Sequence, residues 1–326
     1  MRSTTRALHH GLLALTATLA AATTGCFLAA SVIGDKVASK SANDANEADA
    51  AADNVALPKG TGPRKRIGIV LSDDGSEPRH RSSAGSLASA AGTATTEILV
   101  KSDAFVVVER EEMAKVLKEQ GLGMTGAVSS QSAAAAGQLL GLQAIVTVKV
   151  MDYDEGRSTS GMIYAETKRS YTARVSLRMV DATTGEIWIA ETGQGTATET
   201  SAGTSSSYDE NLGKRALYRA VRSAASAVVQ AANKRPWSAT VAKVAQTGVY
   251  VVAGAGSGLA VGARLKVRAL GDEITDPASG QIIGRELGKI LGTIKVASHV
   301  NDKLTLCEVS DGQGFSAGDQ VVLDGA

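Results

Sequence analysis

From Tyr171 to Met179 apolar and polar residues alternate without a break. Tyr171, Ala173, Val175, Leu177 and Met179 share one face, while Thr172, Arg174, Ser176 and Arg178 share the other, which is the pattern of a half-buried sheet strand. Asp181-Ala-Thr-Thr-Gly185 then predicts a turn into a second strand at Ile187–Ala190. Farther on the period changes: Leu212, Ala216, Leu217, Val221, Ala224, Ala225, Val228 and Val229 draw one apolar stripe along a helix ending near Lys234, and Pro236 closes the region. Upstream, the apolar run opening at Arg66 (RIGIVLSDDG) predicts a strand with an acidic turn. A small-residue helix over 85–100 and a strand over Phe105–Val108 follow. Met113, Val116, Leu117 and Gln120 have helical spacing, with Gly121 and Gly123 ending that helix. Another helix, capped by Ser130 or Ser132, reaches Leu139 and Leu140, and Gly141 stops it before an apolar strand over Gln143–Met151. From Trp237 onward only short alternating runs punctuated by glycine remain (TVAKVAQTGVYVVAG, GLAVGARLKV, ILGTIKVAS, KLTLCEVSD, GDQVVLD). The expected architecture is an α/β (α+β) domain with a mixed sheet and flanking helices, followed by a small, mostly antiparallel all-β barrel-like domain.

The first residues do not fit either domain. Arg2 and Arg6 precede an apolar run from Gly11 to Ala22, and Thr23, Thr24, Gly25 and Cys26 follow, the order of a signal peptide. A membrane-spanning helix needs about 20 predominantly apolar residues, and Thr23 to Gly25 interrupt this run before that length. The stretch stays uncharged to Gly34, so a retained helix is the alternative. From Ser39 to Asn54 the chain carries no large apolar residue and is expected to act as a tether, with a partly helical stretch allowed by its alanines. The expected division is 1–25 signal peptide, 26–60 lipidated N-terminus and tether, 61–235 α/β domain and 236–326 β domain.

Composition narrows the function classes. With 34 basic against 33 acidic side chains, no net field draws the chain to nucleic acid. Aromatic residues make up 3%, too few for base-stacking platforms or for the aromatic girdles of membrane barrels. Cys26 and Cys307 are the two cysteines, and Cys307 sits in an alternating strand pattern as a buried, inert thiol. His9 and His10 lie in the signal segment, and His80 and His299 have no metal-ligand spacing to another His or Cys, so no metal site is expected. The glycines of GAGSG at 254–258 stand between two strand patterns, where a turn is expected rather than a dinucleotide site, which needs a helix start. Asp73, Asp74 and Gly75 suggest a turn rather than a cation loop. No G-x-S-x-G elbow occurs, and the reading is of a protein without catalytic residues.

Cys26 with its preceding small residues resembles a bacterial lipobox, although Thr23 stands where that motif usually has Leu; ordinary cleavage near Ala22 or Ala30 is the alternative. The resemblance implies a covalent lipid on Cys26, the only cofactor-like group expected. Phe27, rather than Asp, after the cysteine implies the periplasmic face of the outer membrane as destination. Three further segments resemble the CsgG family, the outer-membrane lipoproteins of curli secretion: FVVVER followed by EEMAKVLKEQGL, then AAAAGQLLGLQAIVTVKVMDYD, then VSLRMVDATTGEIWIAET. Glu109, Arg110, Glu119 and Gln120 occur at the family's spacing, and Asp181, Thr184 and Gly185 match its strand turn; the likeness covers about Arg64 to Asn233. The tail from Trp237 resembles the C-terminal domain of the flagellar assembly protein FlgT, in GLAVGARLKV, DPASGQIIG and GDQVV.

The family resemblance implies a homo-oligomeric ring in which each subunit lends two hairpins to a shared transmembrane barrel, with a secreted or envelope protein as partner and no nucleic acid. The candidate hairpins here are Tyr153–Leu177 and Ile187–Tyr208, and they carry Asp154, Glu155, Arg157, Glu166, Lys168, Arg169, Glu191 and Glu199. Neither alternate face of the second stays apolar past Ala190, whereas a barrel strand needs about 9–11 residues with a lipid-facing apolar side. The stretch matching the family's pore-narrowing loop, 74–86, has no aromatic residue. Two readings follow: a secretion ring, or a tethered periplasmic scaffold or activator similar to LpoB-type proteins and FlgT.

Overall fold

The computed structural model describes residues 56–72, 84–108, 140–160, 166–182, 185–202, 210–275, 277, 282–286 and 288–325, together with 40, 43, 44, 46, 47 and 49. The helix expected around Met113, the helix from Ser130 up to 139, the acidic turn at Asp73, His80 and residues 74–83 of the 74–86 loop lie outside these residues, while 84–86 are helical.

One sheet has the strand order β2-β1-β3-β4-β5. Its interior strand β1 (Lys65–Leu71) runs parallel to β2 (Phe105–Val108) and to β3 (Ala144–Ser160), with Lys65 opposite Phe105 and Ile67 opposite Ala144. A strand flanked on both sides reads as a continuous apolar run, and Ile67, Ile145, Val146 and Val148 are buried. Helix α1 (Ala84–Lys101) packs on β1 and β2 and buries Ile98 and Leu99.

β4 (Glu166–Asp181) lies beside β3, and the side-chain pairs Asp152–Arg174 and Thr159–Thr167, both at 3.3 Å, show the two strands to be antiparallel. The alternation read from the sequence holds: Tyr171, Ala173, Val175, Leu177 and Met179 are all buried, and Arg174 and Arg178 are exposed. The sheet is therefore mixed. α2 (Glu210–Asn233) buries its whole predicted stripe, from Leu212 through Val229.

The region from Ile187 differs from the expected second hairpin. β5 (Ile187–Ala202) is one continuous strand, antiparallel to β4 through Thr172–Thr196 (3.1 Å) and the Ser201 hydroxyl donating to the Thr167 carbonyl (3.4 Å). Its glycines make no turn. A Cβ at Gly193 would collide with the Ala220 carbonyl oxygen and one at Gly195 with that of Ala216, so both let α2 lie against the strand.

After α2 the chain forms only strands and a short 3-10 turn among the described residues: β6 (Ser238–Ala245), β7 (Gly248–Val251), β8 (Arg264–Arg268), β9 (Glu273–Thr275), β10 (Ile282–Arg285), β11 (Ile290–His299), β12 (Thr305–Gly312) and β13 (Gln320–Leu323). Six of them close a barrel in the order β11-β12-β7-β6-β13-β8, every pairing antiparallel, while β9 and β10 form a separate two-stranded ribbon. Val241, Val249, Val251, Leu265, Val267, Ile294, Val296, Cys307 and Val321 fill it. Gly254 and Gly258 cap the 3-10 turn Ala255–Ser257 between β7 and β8, with Gly258 at φ 69° in the left-handed region, so the turn expectation holds.

The chain divides into two compact units. One comprises Val55–Asp154, Thr172–Thr196 and Gly213–Ala326; the other takes in Met1–Asn54, Glu155–Tyr171 and Ala197–Leu212.

Candidate functional site

β3 is paired with β1 only as far as Leu71 opposite Val148, and its remaining residues continue beside β4 alone among the described strands. With β4 and β5 this makes a three-stranded sheet whose two edges are β3 and β5. Beyond Asp154 the residues of β3, Glu155, Gly156, Arg157, Ser158, Thr159 and Ser160, are all exposed. On β4 Thr167, Arg169 and Tyr171 are buried, and on β5 Gly193, Gly195 and Ala197. The charged residues singled out from the sequence thus fall on these strands, with Asp154, Glu155, Arg157, Lys168 and Glu191 exposed and Arg169 buried.

The outward groups of β5 are met by side chains. Arg219 Nη1 donates to the Thr196 carbonyl at 2.7 Å. Thr198 N–H and its hydroxyl donate to Asp49 Oδ1 at 3.1 and 3.2 Å. Thr200 N–H donates to Asn46 Oδ1 at 2.8 Å, and Asn46 Nδ2 donates back to the Thr200 carbonyl at 3.0 Å. Lys40, Asn43, Asp44, Asn46, Glu47 and Asp49 all have helical backbone, in the segment whose alanines allow a partly helical stretch. Nothing in the sequence marked Asn46 and Asp49 as contacts, because two small polar residues among alanines carry no periodic signal.

A second cluster joins the barrel to β1. Trp237 is 4% exposed, and its Nε1–H donates to the Arg64 carbonyl at 3.2 Å. Arg64 N–H donates to the Ser257 carbonyl at 2.7 Å, and its guanidinium reaches the Gly256 carbonyl and Asp103. Gln143 Nε2 donates to Ser238 Oγ at 2.9 Å. Lys59, hydrogen-bonded to Asp103 at 3.0 Å, together with Arg64, holds that carboxyl below the usual range. Arg64, Arg66, Trp237, Asp302 and Lys303 line a shallow cleft there, and the Arg64 guanidinium and Arg66 Nε are already engaged.

His299, at the end of β11, has a hydroxyl partner. Its Nδ1 lies 2.7 Å from Thr305 Oγ1, and because that hydroxyl donates to the Ala253 carbonyl, His299 Nδ1 carries the proton and is the donor. Cys307 is fully buried and lies in β12, where desolvation pushes its thiol up to about 12. Among the described residues no three His, Cys, Asp or Glu side chains gather as metal ligands, and no helix is long and apolar enough to cross a membrane.

The sequence pattern of the family described as curli production assembly/transport component CsgG matches residues 58–252, more than half of the 326-residue chain. The chain belongs to the CsgG family. The match runs past the Arg64–Asn233 span legible from motifs and takes in β6 and β7. Of the CsgG signature residues, Asp181 and Gly185 are placed: Gly185 N–H donates to the Asp181 carbonyl at 3.0 Å, Asp181 N–H donates to the Glu186 carbonyl at 2.8 Å, and Gly185 has φ 74°. The turn expectation therefore holds. Glu109, Arg110, Glu119, Gln120 and Thr184, like Cys26, lie outside the described residues.

No curated protein matches the chain. Among solved structures, the LpoB C-terminal domain from Salmonella enterica is similar at 12% identity and a TM-score of 0.28, covering 42% of this chain and 86% of that one. The hypothetical protein CT253 from Chlamydia trachomatis is similar at 14% identity and a TM-score of 0.34, covering 53% and 99%. Lipoprotein GNA1162 from Neisseria meningitidis is similar at 18% identity and a TM-score of 0.29, covering 51% and 96%. CsgG membership supports an envelope lipoprotein.

Proposed function

We propose that this CsgG-family chain is anchored through a lipid on Cys26 to the periplasmic face of the outer membrane and works there in curli-type protein secretion or assembly as a homo-oligomer. The observation that carries the reading is the family match together with a three-stranded sheet bearing two edges, β3 and β5, through which copies can join. In this reading the chain divides at 25, 60 and 235, the FlgT-like β domain acts as a periplasmic collar, and the chain has no catalytic residues. Detergent-extracted, assembled protein in planar bilayers provides the test: single-channel conductance supports a secretion ring, and assemblies without conductance contradict a pore.

A second reading has its own support. β3 beyond Asp154 exposes Glu155 and Arg157, and a charged side chain facing lipid at mid-membrane costs about 2–4 kcal/mol for Arg or Lys. That favours a tethered scaffold or activator that binds an envelope protein without crossing the bilayer.

A further inference from the structure

An edge strand with open N–H and C=O groups is a template for another strand, and proteins cover such edges. Here the cover is made of side chains. Asn46 offers Thr200 an acceptor and a donor at once, at 2.8 and 3.0 Å, which reproduces the paired bonds of a neighbouring strand. Asp49 takes the Thr198 N–H at 3.1 Å. The two residues are three apart with helical backbone, so they lie on one face, and both are half-buried, whereas Lys40, Asn43, Asp44 and Glu47 are exposed. Asn46 meets the later strand residue and Asp49 the earlier one, so the segment runs against β5.

We propose that the segment bearing Asn46 and Asp49 is a removable guard, an autoinhibitory contact that keeps the β5 edge closed to a strand from a second copy of this chain until lipidated chains meet at the membrane. The strand it excludes is the 149–160 stretch of β3, which has no described strand on its β1 side. The two edges lie on opposite sides of the same three strands, so copies join head to tail once the guard leaves, and that geometry closes into a ring or grows open-ended. The guard works by competition. Thr198 and Thr200 can give their outward bonds to the side chains or to a strand, and both cannot occupy the edge. This inference rests on the oligomer reading above.

The test compares full-length wild type with the Asn46→Ala/Asp49→Ala double variant, using as probe a synthetic peptide of residues 149–160 (KVMDYDEGRSTS). In the double variant, amide exchange at Thr198 and Thr200 is expected to rise about tenfold, with Ala197 and Glu199, whose N–H groups alternate to the β4 side, unchanged. The peptide should bind the variant, restore protection at both threonines and bind wild type at least about tenfold more weakly. Equal binding to both proteins, or binding to neither, overturns the guard. If the double variant loses its fold, Asn46→Asp keeps the side-chain volume, sets an oxygen against the Thr200 carbonyl and is judged by the same criteria. Rings from lipidated wild type extracted from the membrane bear separately on the oligomer reading: such rings without guard-dependent peptide binding defeat only the guard, and guard-dependent binding without such rings defeats only the oligomer.

Discussion

Gly193 and Gly195 set how near α2 comes to β5. Because the groups a Cβ would meet are carbonyl oxygens of the helix backbone, neither can swing aside, and the helix itself has to move. Gly195→Ala is therefore expected to destabilise the protein by about 1–3 kcal/mol, read as a lower thermal midpoint. Their role was illegible in the sequence, where ETGQGTAT reads as a polar strand end; small residues reveal a close approach only once the opposing helix is known. Cys307 was legible, since the alternation of KLTLCEV puts it on the inner face, and it is fully buried. Its consequence is pH-dependent. Burial raises the folded thiol to about 12 against an ordinary value of 9.0, so above about 9 the unfolded chain loses a proton that the native state keeps, and stability falls by up to about 1.4 kcal/mol per pH unit. Denaturant unfolding at pH 8 and pH 10 should show this extra loss in wild type and not in Cys307→Ala.

Elements with one buried face were readable before any coordinates. β4 and α2 each carry their pattern through to burial, and the glycine-punctuated strands after Trp237 close the barrel that the texture predicted. The polar run of β3 was not readable as strand, because Asp154 to Ser160 hold no apolar residue and the stretch is held by pairing with β4 rather than by burial. β5 misled for a different reason: the family resemblance implied a hairpin over Ile187–Tyr208, while the described residues form one strand that lies against α2. The seam between β1 and the barrel turns on Trp237, which both packs in the barrel core and donates to the Arg64 carbonyl. Trp237→Phe keeps most of the packing and is expected to cost about 1 kcal/mol, and Trp237→Ala about 3–5 kcal/mol, measured by chemical denaturation. Equal effects would mean that the indole body contributes nothing beyond its hydrogen bond.

For the whole molecule, two features bear on function: a proposed anchor at Cys26 and a sheet with two edges. Each buried CH₂ of an acyl chain contributes about 0.8 kcal/mol, so several chains on one cysteine fix the location. Cys26→Ser is expected to move the protein from the membrane fraction to the soluble fraction, and unchanged membrane association would contradict the anchor. The family was legible from FVVVER, EEMAKVLKEQGL and VSLRMVDATTGEIWIAET, whereas the contacts of Asn46 and Asp49 with β5 were not, since those residues carry no pattern. The most direct test of the central claim is the oligomeric state of the detergent-extracted, lipidated protein, by size-exclusion chromatography followed by negative-stain imaging. Closed rings with a central hole are expected, and a monomer or small open oligomer would contradict the proposed assembly.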